Sequence, residues 1–436
     1  MNVLTKQHRI AETAKRWPNE PLTSLNHYLD MDWMREAYRR VRKDSAPGHD
    51  GQTVEGYGER LDENLADLLE RAKSGRYVAP PVRRVHIPKG TGKETRPIGI
   101  PTTEDKVLQR AVTMLIEPIY EAEFHDFSFG FRPGRSAHQA LDYLWHQTMS
   151  KGTKWIIELD IRKCFDTFSH GVLRQRLQQR VRDGVINRLV GKWLKAGVLE
   201  AGRLQYPVQG TPQGGVISPL LCNIYLHEVL DKWFVGDVLP RLHGRAFIVR
   251  YADDAVLGFE SKADAERVLR VLPKRFEKYG LQLHPEKTRL IPFGRPPQNG
   301  SPYVEPDTFN FLGFTHYWGR GLNGNWVLKR GTAKDRFSRA LKAIRAACRQ
   351  MCHWPLAEQH RVLSLKVKGH YAYYGITGNG KALTRFREEV KRVWRYWLNR
   401  RSGHHAMPWE RFNALVNRAY ALPPARVVHS ALAAKP

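Results

Sequence analysis

The chain has 436 residues and carries 71 Lys and Arg against 43 Asp and Glu, a formal net charge of +28 with an isoelectric point near 10.1. So large and one-sided an excess points to a polyanionic partner, because each phosphate neutralised by Lys or Arg releases a counterion. No apolar run reaches the roughly 18 residues of a membrane span, and no apolar signal segment opens the chain, so no membrane association is expected. Cys164, Cys222, Cys348 and Cys352 form no disulfide framework, which fits a reducing cytoplasm.

In chain order, residues 33–41 and 61–72 read as amphipathic helices, with Asp50-Gly51 turning the chain between them. Arg9, Lys15, Arg16, Arg35, Arg39, Arg40, Arg42 and Lys43 give this region a scattered basic surface. His86-Ile-Pro-Lys89 and Arg96-Pro-Ile-Gly-Ile-Pro101 flank a polar turn and predict a β-hairpin on which Lys89 and Arg96 face each other, a pair suited to a triphosphate. Lys154-Trp-Ile-Ile-Glu-Leu-Asp160-Ile is apolar and β-branched, a strand with Asp160 near its end. Gln209-Gly-Thr-Pro-Gln213-Gly-Gly follows, a loop whose glycines allow close backbone approach to a ligand. Ser218 then reads as an N-cap with Pro219 opening a helix through Leu230.

Residues 245–251 and 255–259 predict two strands, which places Asp253 and Asp254 at the tip of a hairpin. Two ionised carboxylates on one tight turn repel each other unless a cation neutralises them. Alone, such a pair is matched by any acidic hairpin turn, where Asp is favoured anyway. The order of a strand ending in Asp160, a glycine loop and an Asp-Asp hairpin points instead to carboxylates converging on the divalent ions of phosphoryl transfer. After a loop over residues 294–306, two stripes recur at helical spacing. Phe337, Leu341, Ile344, Cys348 and Met351 form one, and Phe386, Val390, Val393, Trp394 and Trp397 the other. Arg339, Lys342, Arg345 and Arg349, then Arg387, Lys391 and Arg395, fall outside the stripes. Residues 329–401 hold nineteen Lys and Arg against four acidic residues, or +15. Cys348 lies on an apolar stripe, so Cys348, Cys352 and His353 are expected to be core rather than a metal cluster.

These blocks resemble, in this order, the reverse transcriptases encoded by bacterial group II introns, which also act as maturases. Lys43-Asp-Ser-Ala-Pro-Gly48-His-Asp50-Gly, Phe129-Gly-Phe-Arg132-Pro-Gly-Arg135-Ser136, Leu281-Gln-Leu-His-Pro-Glu-Lys287-Thr and Phe311-Leu-Gly313-Phe-Thr extend the likeness over nearly the whole chain. The resemblance implies an α+β fold of the right-hand polymerase type, with fingers and palm on an antiparallel sheet and an α-helical thumb, the X domain. By the same likeness, residues 1–80 are a helical N-terminal extension and the start of the fingers, and 81–315 fingers and palm. Residues 316–401 are the thumb, and 402–436 a short DNA-binding appendage with Trp409, Arg411, Arg418 and Arg426. It implies that Asp160, Asp253 and Asp254 bind two Mg²⁺ ions and that Phe165 is the steric gate selecting dNTP substrates. Lys89, Arg96 and Lys287 meet phosphates, Gln213 lies near the nascent base pair, and residues 311–314 support the primer end.

The implied partners are group II intron RNA in a ribonucleoprotein, template RNA, primer DNA and target DNA, for a monomer or dimer in the cytoplasm that joins the nucleoid at its DNA target. Basic helices suit A-form RNA, which is held mainly through shape, phosphates and 2′-hydroxyls. The expected activity is RNA-directed DNA polymerisation, with aid to splicing and to intron mobility by target-primed reverse transcription. The cysteine-free C-terminal stretch implies a form without the nuclease domain that many members carry. Two other readings use the same residues. One is a domesticated, defence-linked or retron-type reverse transcriptase, and the other an RNA-binding splicing factor without polymerase activity. Phe165 at the gate position argues against an RNA-dependent RNA polymerase.

Overall fold

Two compact units emerge in the computed structural model: Met1–Ala140 with Ile157–Leu290, and Leu141–Ile156 with Ile291–Pro436. The structure describes residues 2–88, 95–200, 202–206, 209–210, 214–298, 305–321, 323–401 and 407–429. Among these residues, no helix is long and apolar enough to cross a membrane. Helix and sheet are mixed, in line with the α+β class that the resemblance implies.

The first unit is organised around the Thr103–Glu121 helix, which is buried along most of its length and is capped by Thr102. Asp30 caps the Met31–Arg39 helix by accepting from the Trp33 amide, and the fully buried Trp33 indole donates to the Ala111 carbonyl at 2.9 Å. The helices at Val3–Arg16 and Leu61–Ser74 complete this N-terminal layer, with Gly51 in a left-handed turn before the second. Arg180 fixes the end of the first helix by donating to the carbonyls of Ala14, Trp17 and Glu20. Asp183 holds the next turn by accepting from the amides of Leu25 and Asn26, each at 2.8 Å.

The strands are β1 (Val82–Pro88), β2 (Thr95–Ile100), β3 (Trp155–Asp160), β4 (Val198–Glu200), β5 (Arg203–Gln205), β6 (Ala246–Tyr251), β7 (Asp254–Phe259), β8 (Arg289–Pro292), β9 (Phe309–Phe311), β10 (Phe314–Arg320) and β11 (Trp326–Thr332). They form three sheets, in the orders β2-β1-β4-β5, β6-β7-β3-β8 and β11-β10-β9. The hairpin β6–β7 is antiparallel with Tyr251 opposite Asp254, so its turn is only Ala252 and Asp253. The helix after the glycine loop runs from Ser218 to Leu226 with Ile217 as its N-cap, so Ser218 is the first helical residue and not the cap expected from the Ser-Pro pair. It then widens into π-helical turns at His227–Asp231 and Phe234–Val238, beyond the expected end at Leu230.

That widening brings Asp231 to the buried guanidinium of Arg250. Arg250 Nε donates to Asp231 Oδ1 at 2.8 Å, and a second guanidinium nitrogen reaches Oδ2. The remaining bonds go to Asn223 Oδ1 at 3.0 Å and the Ala252 carbonyl at 3.1 Å, and neither side chain of the ion pair is exposed. Burial alone would raise the Asp231 carboxyl, but the charge and hydrogen bonds of Arg250 and the nearby His227 hold it at about 2.

In the second unit, helices Lys334–Gln350, Leu356–Tyr374, Gly380–Asn399 and Trp409–Arg418 enclose one apolar core. Ile344, Cys348 and Met351 from the first expected stripe and Phe386, Val390, Val393 and Trp394 from the second lie in it, with Phe337, Leu341 and Trp397 packed at its edge. Cys348 and Cys352 are buried free thiols, and the Cys352 thiol donates to the Trp397 carbonyl at 3.2 Å.

Removing one partner of a buried ion pair leaves the other without compensation. Arg250→Met is therefore expected to destabilise the protein by about 3–5 kcal/mol in urea unfolding, while Arg250→Met with Asp231→Leu recovers most of the loss. A single variant within about 1 kcal/mol of wild type would show that the pair does not hold the fold.

Candidate active site

Asp160 ends β3, and the block at residues 281–288 lies directly along it. The His284 amide donates to the Asp160 carbonyl at 2.8 Å, and Ile161 bridges Leu283. Lys287 Nζ sits 2.9 Å from Asp160 Oδ2 in a partly exposed ion pair. Lys287 therefore meets a carboxylate directly, at the end of the strand where the phosphate neighbour was expected.

Asp253 occupies the second position of the two-residue turn between β6 and β7. Its carboxyl is raised above the usual carboxylate range, chiefly by burial and further by the negative charge of Asp160, while its own backbone amide, Arg96 and Arg250 pull the other way. The fold thus brings Asp160, Asp253 and Arg96 within electrostatic reach of one another. Asp254 is exposed as the first residue of β7. Among the described residues, no cluster of three ligating side chains forms. A partly buried carboxylate that feels the charge of a second one still fits a divalent cation, since Mg²⁺ is commonly held by one or two carboxylates together with substrate phosphates.

The turn itself is strained. Ala252 adopts a left-handed backbone with φ of 57°, and its carbonyl is held by Arg250. Gly130 packs beneath it so tightly that an added β-carbon would stand 2.9 Å from the Ala252 Cα. Asn223 Nδ2 donates to the Gly130 carbonyl at 2.7 Å, which ties this block to the helix after the glycine loop. Arg132 anchors the same block from the other side, through Glu121 and the carbonyls of His125 and Ser128. Arg250, Asn223 and Asp231 escaped the reading of the sequence. The one signal available was an arginine inside the otherwise apolar strand Ala-Phe-Ile-Val-Arg-Tyr.

Phe165 is buried in the short Cys164–Thr167 helix, behind the left-handed Lys163. Cys164 and Cys222 lie with their sulfurs 3.7 Å apart, and the Cys164 thiol is raised well above its usual value by that contact and by burial. The glycine loop passes between this helix and β2. A β-carbon on Gly210 would meet the Phe165 carbonyl at 2.5 Å, and one on Gly214 would meet Ile98 Cγ2 at 2.9 Å. Both glycines serve close approach to protein backbone and side chains, whereas the sequence reading had reserved that freedom for a ligand. Gln213 and Lys89 lie outside the described residues. Arg96 is exposed on β2, and its cross-strand partner is Ile87.

In the second unit, Leu312 and Gly313 form the left-handed turn between β9 and β10, and Tyr373 Oη donates to the Leu312 carbonyl at 2.8 Å. Arg339, Lys342, Arg345 and Arg349 are all exposed along the Lys334–Gln350 helix. Arg387, Lys391 and Arg395 are only partly exposed. Arg387 donates to the Leu422 carbonyl, Lys391 pairs with Glu388, and Arg395 donates to the Met407 carbonyl and lies over the Trp409 ring at 4.4 Å. Arg387 and Arg395 therefore dock the segment after the Gly380–Asn399 helix.

Comparison with known proteins adds the following. The family model for reverse transcriptase (RNA-dependent DNA polymerase) matches residues 87–316. The chain is 39% identical over 229 residues to the group II intron-encoded protein LtrA of Lactococcus lactis subsp. cremoris, covering 52% of this chain and 37% of that protein. It is 34% identical over 349 residues to protein YkfC of Escherichia coli (strain K12), covering 72% of this chain and 88% of YkfC. It is 35% identical over 236 residues to an uncharacterized 91 kDa protein in the cob intron of Schizosaccharomyces pombe, covering 53% of this chain and 29% of that protein. The chain thus spans well under half the length of two of these relatives.

A raised carboxyl pKa means that the folded state resists the charge. Between the ordinary value of 3.8 and the raised one, the folded protein binds more protons than the unfolded chain, so stability falls as pH rises. Asp253→Asn is therefore expected to raise the melting temperature by a few degrees at neutral pH in metal-free buffer. The gain should shrink as Mg²⁺ is added. A variant that melts at or below wild type without Mg²⁺ would contradict the account of this site.

Proposed function

This chain belongs to the reverse transcriptase (RNA-dependent DNA polymerase) family, and from that premise we propose that it copies RNA into DNA and binds group II intron RNA as a maturase. The observation that carries the polymerase reading is the pairing of Asp160 with the partly buried Asp253, whose ionisation its surroundings resist, at the ends of adjacent elements. Asp160 and Asp253 would hold Mg²⁺, with Asp254 next to Asp253 as the first residue of β7. When bound, two such ions supply charge neutralisation at the attacking and leaving oxygens of nucleotidyl transfer.

The chain's own residues then divide the remaining work. Arg96 and Lys89 take the triphosphate, and Lys287 exchanges its Asp160 contact for a phosphate oxygen as substrate enters. Phe165 crowds the 2′ position of the incoming sugar, which favours dNTP substrates. Gln213 lies on the loop beside the nascent base pair, and that loop is supported by Gly210 against the Phe165 segment. The helices from residue 334 onward act as the thumb, and residues 311–314 support the primer. The exposed row Arg339, Lys342, Arg345 and Arg349 grips the phosphates of template and intron RNA, and Arg387, Lys391 and Arg395 support it mainly by holding the C-terminal segment. The intron reading is supported by the printed names of relatives, an intron-encoded protein and a protein in the cob intron. Target DNA is the partner that mobility by target-primed reverse transcription would add.

Primer extension on an RNA template tests the chemistry. Asp160→Ala or Asp253→Ala should lower the rate by about a thousandfold or more, the several kcal/mol that metal positioning provides. Intron-RNA affinity should stay within about twofold. Extension near the wild-type rate by either variant would refute the assignment.

Filter binding across a salt series tests the basic row. Wild-type affinity should fall steeply with salt, by roughly 0.7–0.9 in slope for each phosphate neutralised. Arg339→Glu, Lys342→Glu, Arg345→Glu and Arg349→Glu together should weaken intron binding by roughly 100-fold at moderate salt and flatten the slope by about three. Binding as tight as wild type would move the RNA interface elsewhere, with the N-terminal helices the next place to look.

A further inference from the structure

Among the described residues, four other than glycine adopt left-handed backbone: Phe131, Lys163, Ala252 and Leu312. Every one lies in a motif block. Such conformations persist only where the surroundings over-determine them, and they gather at working sites. Lys163 precedes the proposed sugar gate and Ala252 precedes Asp253, while the carbonyl of Leu312 is taken by Tyr373. Phe131 is the one whose side chain remains unexplained. Its φ is 57°, and its ring is 53% exposed.

Neither folding nor turn chemistry asks for phenylalanine there. A left-handed turn position favours Gly or Asn, and a large aromatic ring in water forfeits its burial. The backbone is fixed by its neighbours rather than by its own side chain. Gly130 is wedged against Ala252 with its carbonyl bound by Asn223, and Arg132 is buried on Glu121 and two carbonyls. Phe131 is therefore held rigidly, with its ring toward solvent.

Its location supplies the occupant. Consecutive Cα atoms are about 3.8 Å apart, so the Phe131 backbone lies only about one residue step beyond the Gly130–Ala252 contact. Asp253 is the next residue of the turn. A strand whose 3′ end reaches Asp253 therefore ends within a few residue steps of Phe131. We propose that Phe131 is a primer-positioning contact, a fixed aromatic surface against which the sugar and base at the primer's 3′ end pack. The inference rests on the polymerase reading of Asp160 and Asp253. A ring already fixed loses little entropy on contact, and aromatic packing against nucleotides tolerates any base. Both properties suit a surface that must accept every primer sequence in turn.

The test uses the full chain with a DNA primer on an RNA template, comparing wild type with Phe131→Gly, Phe131→Asn and Phe131→Tyr. Gly and Asn accept the left-handed backbone, so each removes the ring without adding strain. Both should melt at or above the wild-type temperature. Their KM for primer–template should rise about tenfold, the effect of losing one base–aromatic stack, while kcat changes less than twofold. Phe131→Tyr should restore the wild-type KM. An unchanged KM in both ring-less variants overturns the inference and leaves the polymerase reading intact. So does a drop of several degrees in the melting temperature of both, which would make the ring a packing element. Loss of intron-RNA affinity at unchanged primer KM also overturns it, by assigning the ring to RNA docking. A wild-type protein that extends no primer overturns the polymerase reading, and this inference with it.

Discussion

The candidate site depends on one buried positive charge. Arg250 lies beneath the Ala252-Asp253 turn, fully enclosed, in a strand that is otherwise apolar. A guanidinium taken out of water is costly unless every donor finds a partner, and here Asp231, Asn223 and the Ala252 carbonyl receive them. Each partner comes from a different part of the first unit. Asp231 comes from the π-helical turns, Asn223 from the helix behind the glycine loop, and Ala252 from the β6–β7 hairpin itself. The charge therefore acts as a fixed point at which three chain segments must agree. It also reaches Asp253, whose ionisation it eases against burial and the neighbouring Asp160.

Much of this architecture was legible in the residues, because strands and amphipathic helices announce themselves by period. The strands ending in Asp160 and Tyr251 and the apolar stripes of the helical unit fell where their spacing put them, while the hairpin tip lies one residue earlier than expected, at Ala252-Asp253, with Asp254 already in β7. What escaped was information about who stands opposite whom. Period assigns a residue to a face and says nothing of the partner across a sheet, where Arg96 has Ile87 as its neighbour in register. The same gap explains Arg387 and Arg395. Helical spacing placed them outside the core, but the chain returns over them at Met407 and Leu422 and accepts their hydrogen bonds. Ser218 shows a third limit. A Ser-Pro pair favours a cap followed by the first helical residue, yet the helix begins one residue earlier, after Ile217.

The distribution of charge follows a consistent logic within each unit. The chain is strongly basic overall, but at the centre of the first unit the fold resists the ionisation of Asp253. Its neighbour Asp160 is paired with the partly exposed ammonium of Lys287. Such a partner is easily exchanged, because an exposed ion pair contributes little net energy. Arg250 is the opposite case, a planar guanidinium held by three partners and unavailable to any ligand. A permanent cation beneath the turn and an exchangeable one beside it divide the electrostatic labour without competing for the same oxygens.

Left-handed residues on either side of the carboxylates give this arrangement its rigidity. Lys163 and Ala252 are strained, and the glycines that touch their segments, Gly210 and Gly130, leave no space for relaxation. A looser turn could move Asp253 away from Asp160 and lower the repulsion between them, and the fold would then relieve its own strain at the expense of the geometry a cation needs. The glycine contacts close that route. Fixed backbone keeps the two carboxylates near each other when nothing neutralises them, so the repulsion remains available to be relieved by a bound ion. The same packing that lowers the stability of the isolated fold would raise the affinity of the proposed site for a cation, and the two effects cannot be separated by any substitution that loosens the turn.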